Sequence, residues 1–191
     1  MTDSLILASS SPRRKELLAR IVPEFTSYSP DIDETPRAGE NPFRLSMRLA
    51  REKAVSAASH FPECFVLGSD TSAALEGRTL GKPHGFEDFM EFFPKLSGRV
   101  HTVVTAVALV RPDGTVTERI CSAEVEMTAF SEADAAWYWR TGEPQDKAGG
   151  YAVQGIGARF IRRIAGSPTG LVGLPLPETA ELLAEAGFHQ A

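Results

Sequence analysis

Ser9, Ser10 and Ser11, then Pro12, then Arg13 and Arg14 follow one another near the start of this 191-residue chain, so that three hydroxyls run directly into two guanidinium groups. Ser11 and Pro12 have the form of a helix N-cap and a first helical residue. The arginines then fall in the first turn, where the helix dipole already concentrates positive charge and disfavours more of it. An anion would reverse that penalty, because free backbone N–H groups, serine hydroxyls and guanidinium forks are all good donors to phosphate oxygen. A solvated arginine pair beside an ordinary serine cap is the alternative.

Asp70 is expected at the C-terminal end of a short apolar strand, Cys64 to Gly68, the end at which open α/β sheets place their ligand crevice. A carboxylate there can hold a divalent cation or take a proton from an attacking water. A turn or capping aspartate would leave the same sequence trace. Asp31, Asp33 and Glu34 cluster after Pro30 and can supply a second oxygen ligand or form a solvated acidic loop. Lys53 continues a step-of-four pattern from Leu45 and Leu49 towards Ala57, so it lies on an apolar helix face and either snorkels or reaches into a site. Lys82, held between Gly81 and Pro83, can aim its ammonium at phosphate or sit in an ordinary surface turn. His101 has no second histidine or cysteine at ligand spacing and reads as structural.

Short apolar runs alternate with helical periods, which favours an α/β or mixed α+β arrangement. Leu5 to Ala8 reads as a strand, followed by a helix from Pro12 carrying Leu17, Leu18 and Ile21. Asn41-Pro42 opens a second helix through Leu45, Leu49, Ala50, Ala54 and Ala57. Val100 to Val110 and Val116 to Met127 form a strand pair across Asp113-Gly114. Ser131 starts a helix bearing Trp137 and Tyr138 that Gly142 and Pro144 end, Ala158 to Ile164 is a strand, and a last helix follows Pro175-Leu176-Pro177.

With 42% hydrophobic residues the chain can bury a core as one domain with two lobes. A formal charge of −5 disfavours life on a nucleic-acid backbone, and no segment approaches membrane-span length. Cys64 and Cys121 lack metal-ligand or framework spacing and are expected as buried free thiols, so the protein is expected in the cytoplasm.

Read in order, Leu7-Ala8-Ser9 to Arg14, Asp33-Glu34, Arg51-Glu52-Lys53-Ala54, Gly68-Ser69-Asp70-Thr71, Gly81-Lys82-Pro83, Leu96-Ser97-Gly98 with His101 and Thr105, Asp146 to Tyr151, and Gly173 to Leu176 resemble the Maf family of nucleotide pyrophosphatases over nearly the whole chain, 1–191. The resemblance implies a mixed α/β fold: an elongated mixed central sheet flanked by helices, and two lobes with an active-site cleft between them. It also implies a homodimer working with Mg²⁺ or Mn²⁺ and hydrolysis between the α and β phosphates, giving a monophosphate and pyrophosphate. Carried over by position, Asp70 is the general base and a metal ligand, and Glu34 assists in placing metal or water. Ser9, Arg13, Arg14, Lys53 and Lys82 bind the triphosphate, the two lysines standing with the catalytic pair.

Thr71, Lys147 and Gln154 resemble the dTTP/UTP subgroup, and modified pyrimidine triphosphates are implied as further substrates. An amide at Gln154 donates and accepts at once, which suits a pyrimidine edge, or it caps a loop. Gly149, Gly150 and Gly155 admit a flat ring or phosphate close to the backbone, or belong to a tight loop. Ser69 stands where the family often has alanine, Pro94 should break the helix before Lys95, and Asp33 to Arg37 is shared with a 7-methyl-GTP subgroup. The competing readings are a 7-methyl-GTP pyrophosphatase, a nucleotide-sensing regulator linked to septum formation, and a nucleic-acid processing enzyme. The acidic balance fits the last of these poorly.

Overall fold

The structure, a computed structural model, describes residues 3–189. Strand β1 (Leu5–Ala8) is buried at every position and runs parallel both to β2 (Thr26–Tyr28) and to β3 (Phe65–Leu75). Strand β5 (Val100–Val110) lies antiparallel along β3, from Val66 opposite Val110 to Ala74 opposite Thr102. The hairpin at Asp113-Gly114 returns it into β6 (Val116–Met127), and β7 (Ile161–Gly166) closes that edge. The spatial order is β2-β1-β3-β5-β6-β7, with β4 (Arg78–Leu80) paired to the end of β3.

The remaining edge of β3 creates the cleft. β1 covers it only as far as Leu67, and β4 begins only at Ala73. Among the described residues, Ser69 to Ser72 therefore meet no strand on that side, while β5 pins them on the other.

Helix α2 (Pro42–Ala58) covers one face, its Ala50, Ala54 and Ala57 packed on Ile6, Val66, Ala106 and Ala108. Asn41 caps it by accepting from the Arg44 N–H at 2.9 Å. Its row of alanines lets it ride directly on the strand, since a Cβ on Gly68 would lie 2.2 Å from the Ala50 carbonyl oxygen. Asp70, two residues on and on the same face, is thereby brought within reach of Lys53.

On the opposite face, α1 (Pro12–Leu18), α5 (Pro168–Val172) and α6 (Leu176–Glu185) join a cluster of Leu5, Leu7, Leu67, Val107, Leu174 and Leu182. Further along the sheet, α3 (Phe86–Phe92) and α4 (Glu132–Trp139) build a second, aromatic cluster with Phe89, Phe93, Tyr138, Phe160, Val103 and Val125. The expected architecture of a mixed sheet, flanking helices and a cleft between two lobes is the observed one.

Several details differ from the sequence expectations. The strand expected over Cys64–Gly68 continues to Leu75, so Asp70 is not at a strand end. It sits where the neighbouring parallel strand has stopped. α1 ends at Leu18, and Ile21 packs from the following turn. A 3-10 turn over Ile156–Phe160 precedes β7 where Ala158 to Ile164 was expected as strand. β2, β4 and α5, unforeseen, span three to five residues each, too short to display a period. Pro94 acts as expected, for α3 stops at Phe92 and a 3-10 turn follows. Cys64 and Cys121 are free thiols but only partly buried.

Candidate active site

A cavity of about 340 Å³ opens between the lobes. Ser9, Arg13, Arg14, Glu34, Lys53, Thr71, Lys82, Lys147 and Gln154 all line it. Five cationic side chains thus face two lining carboxylates, Glu34 and Asp146, in a chain whose net charge is negative. Asp70 is buried behind Lys53 rather than on the wall. Asp31 and Asp33 do not line the cavity, and Asp33 accepts from the Thr35 N–H at 2.9 Å instead.

At one end the β1–α1 junction presents its donors. The Ser9 hydroxyl accepts from the Ser11 N–H at 3.2 Å, and the Ser11 side chain caps α1 at the Arg14 N–H. Arg14 is held from behind: Nε donates to the Gly173 carbonyl at 2.8 Å and Nη2 to Thr71 Oγ1 at 3.3 Å. Buried Thr105 supports that contact, its Oγ1 2.9 Å from Thr71 Oγ1 and donating to the Gly170 carbonyl at 2.7 Å. The Ser69 hydroxyl is 3.0 Å from both the Ala106 and Gly173 carbonyls. Burial lowers the Arg14 pKa, and the charges of Asp70 and Glu34 oppose it. The guanidinium stays charged, because its ordinary value is so high.

Lys53 Nζ joins two carboxylates, Asp70 Oδ1 at 2.7 Å and Glu34 Oε1 at 2.9 Å. The two are pushed in opposite directions. Burial raises the Asp70 carboxyl above its ordinary value, against the pull of Lys53 and Arg14. Burial also acts to raise Glu34, but the Lys53 hydrogen bond and the charges of Lys53, Lys82 and Arg14 outweigh it and hold Glu34 below its ordinary value. Environments that separate two neighbouring carboxyls in this way divide proton-accepting from charge-holding roles. Among the described residues no group of three or more His, Cys, Asp or Glu side chains is placed to hold a metal ion.

The other end is a loop. Residues 143–157 carry 3-10 turns over Glu143–Asp146 and Ala148–Gly150, and present Lys147, Tyr151, Val153 and Gln154 to the cavity opposite Val103 and Leu171. Lys147 pairs with Asp146. Glu143 gathers the loop, accepting from the Tyr138 hydroxyl at 2.6 Å and from the Ile156 and Gly157 N–H groups at 2.8 Å. The Tyr151 hydroxyl is 2.7 Å from His101 Nε2, so the buried imidazole braces that ring. Of the two readings open for Gly149 and Gly150, room for a ring or phosphate or a tight loop, the second is the observed one, for neither lines the cavity. Both have positive φ, and a Cβ on either would stand 2.9 Å from Ala73 or Phe89, so they fasten the loop to the second lobe.

Glu143, Tyr138 and Thr105 were not foreseen as supports of the site. Thr105 acts through Gly170, far along the chain, while Tyr138 and Glu143 meet just past the end of α4 and hold Ala152, Ile156 and Gly157, so no helical or strand spacing marks them.

A family described as Maf-like protein matches residues 4–186. A dTTP/UTP pyrophosphatase of Colwellia psychrerythraea is 46% identical over 98% of this chain and 90% of its own length. A dTTP/UTP pyrophosphatase of Myxococcus xanthus is 47% identical over 96% of this chain and 93% of its own. Among solved structures, a HAM1 protein from Coxiella burnetii is a remote likeness, 17% identical with a TM-score of 0.47 over 97% of this chain and 100% of that one.

Proposed function

We propose, from the premise that this chain belongs to the Maf family, that it hydrolyses nucleoside triphosphates between the α and β phosphates, with dTTP and UTP as preferred substrates. The carrying observation is the Asp70–Lys53–Glu34 chain at the cationic end of a cavity whose far end offers Tyr151, Val153 and Gln154. The cationic end suits three linked phosphoryl groups, and the amide of Gln154 between apolar walls suits a pyrimidine edge. The names of the relatives support the same substrates. Modified pyrimidine triphosphates fall within the same reading. No observation favours a 7-methyl-GTP enzyme or a septum-linked sensor.

The residues act as follows. Triphosphate oxygens seated among Ser9, Arg13, Arg14 and Lys82 compete with Asp70 and Glu34 for the Lys53 ammonium. A water beside Asp70 gives up a proton to the carboxylate as its oxygen attacks the α phosphorus. The raised Asp70 pKa makes it the better acceptor of the pair. The bond from the α phosphorus to the bridging oxygen breaks, pyrophosphate leaves with the electron pair, and the cations meet its charge. Asp70 then returns its proton to solvent.

Asp70 and Glu34 offer hard carboxylate oxygens, and a magnesium or manganese ion typically takes one or two of these and completes its shell with phosphate and water. The ammonium that now joins the two carboxylates marks a place suited to a cation. When bound, the ion would neutralise phosphate charge and polarise the centre under attack. The proposed setting is the cytoplasm, from the free thiols Cys64 and Cys121, and the proposed assembly a homodimer, from the family resemblance, with residues 1–191 as one domain. No helix among the described residues is long and apolar enough to cross a membrane.

The test is a panel of normal and modified triphosphates with magnesium or manganese, scored for the first phosphorus product. Pyrophosphate is expected, fastest from dTTP and UTP. Orthophosphate as the first product would move the cut to the terminal phosphate and exclude this mechanism.

A further inference from the structure

We propose that Arg48 is the positioning residue for Glu34, strapping segment 31–40 to helix α2 so that the carboxylate meets Lys53. The inference rests on the reading of Glu34 as part of the reaction site.

Segment 31–40 has no strand or helix of its own, and its backbone must be fixed by side chains. Arg48 fixes it at two points. Nε and Nη2 meet Glu40 Oε1 and Oε2 at 2.7 and 2.8 Å, a bidentate fork, and Nη2 also donates to the Thr35 carbonyl at 3.1 Å, the residue next to Glu34. The third guanidinium nitrogen, Nη1, reaches Glu52 at 3.0 Å, beside Lys53 in sequence. Arg37 closes the ring: its N–H donates to Glu40 and its guanidinium to Glu52, both at 3.0 Å.

This differs from ordinary surface pairs. Isolated exposed ion pairs contribute little, but the Arg48 and Glu40 side chains are only 11% and 9% exposed. The fork fixes direction as well as distance. Hydrogen bonds from Arg48 hold the Glu40 carboxyl down to about 2. Glu34, by contrast, has a 49% exposed side chain and, among the described residues, one partner, Lys53. Its place is therefore set by the backbone at Thr35, which Arg48 holds. Because Arg48 and Lys53 share one rigid helix, the strap and the ammonium keep a fixed spacing.

A double-mutant cycle tests this with dTTP as substrate. Arg48→Met should lower kcat/KM by about tenfold in the native background and by less than about twofold in Glu34→Gln, the size expected for coupled neighbours. Arg48→Lys, which keeps charge but not the fork, should recover only part of the loss. Equal losses in both backgrounds would show a general structural role and overturn the proposal. Should Arg48→Met fail to fold, Glu40→Gln keeps the shape, removes the charge and carries the same cycle.

A second readout does not need turnover. Amide hydrogen exchange across segment 31–40 should speed up in Arg48→Met or Glu40→Gln while the middle of α2 stays protected, and unchanged exchange in that segment would refute the strap. Absence of turnover on every triphosphate would count against the pyrophosphatase reading alone.

Discussion

The two ends of the cleft are held by different means. At the cationic end Arg13 and Arg14 stand on α1, Lys53 on α2 and Asp70 on β3, so their geometry follows from regular elements. At the loop end Tyr151, Val153 and Gln154 stand on a segment shaped by Glu143, by His101 and by contact with the aromatic lobe. Rigid elements hold charge where small displacements are costly, and a loop can be reshaped without disturbing them. Changes at the first end should therefore alter rate, and changes at the second should alter choice.

The largest effect separates rate from binding at the first end. Asp70→Asn should lower kcat about 10³-fold, the range for loss of a general base, while leaving the Kd of a non-hydrolysable triphosphate analogue within about threefold, well under one tenfold step of binding energy. The ratio of residual dTTP to purine turnover should stay that of the native protein. Calorimetry against single-turnover rates decides it. Parallel losses of binding and turnover would return Asp70 to a structural role.

The same contrast explains what the sequence revealed. The Ser-Pro cap, the Asn-Pro start of α2 and the β5–β6 hairpin are local signals, and the elements carrying the cations were legible from them. Lys53 was legible because its period placed it among apolar neighbours, and it is buried there. Asp70 was singled out as a candidate while its setting was misjudged. An apolar run followed by Ser-Asp-Thr-Ser reads as a strand that has ended, yet β5 supplies partners through Ala74 and keeps the polar residues in the sheet. Glu143, Tyr138 and Arg48 were not legible as supports, since their bonds join helices to irregular segments at spacings that follow no helical or strand period.

The next effect is on stability and belongs to the second end. Burial pushes the His101 pKa down to about 4 from its ordinary 6.5. Between those values the unfolded chain takes up a proton that the folded chain refuses, so stability should fall as pH drops from 6.5 towards 4. The linkage is at most about 3 kcal/mol over that window. Urea titrations at steps of pH should show a shallower slope in His101→Gln, which keeps a partner for Tyr151 but does not titrate. Asp70 has the opposite sign. A carboxyl whose folded pKa is raised stabilises below its unfolded value and loses that contribution as pH rises. An unchanged slope in His101→Gln would place the acid sensitivity elsewhere.

The smallest effect is the sharpest on the comparison. Glu143 accepts three hydrogen bonds, and in Glu143→Gln an amide N–H₂ must face one of those donors. The net cost should be about 1 kcal/mol, spent within the loop because the three bonds come from Tyr138, Ile156 and Gly157. Preference for dTTP over purine triphosphates should then fall about fivefold, the factor to which about 1 kcal/mol corresponds. The Ki of inorganic tripolyphosphate, which has phosphates and no base, should hardly change. If tripolyphosphate and dTTP weaken together, the loop is supporting the phosphate grip as well, and the separation of rate from choice fails at the residue where the geometry makes it most complete.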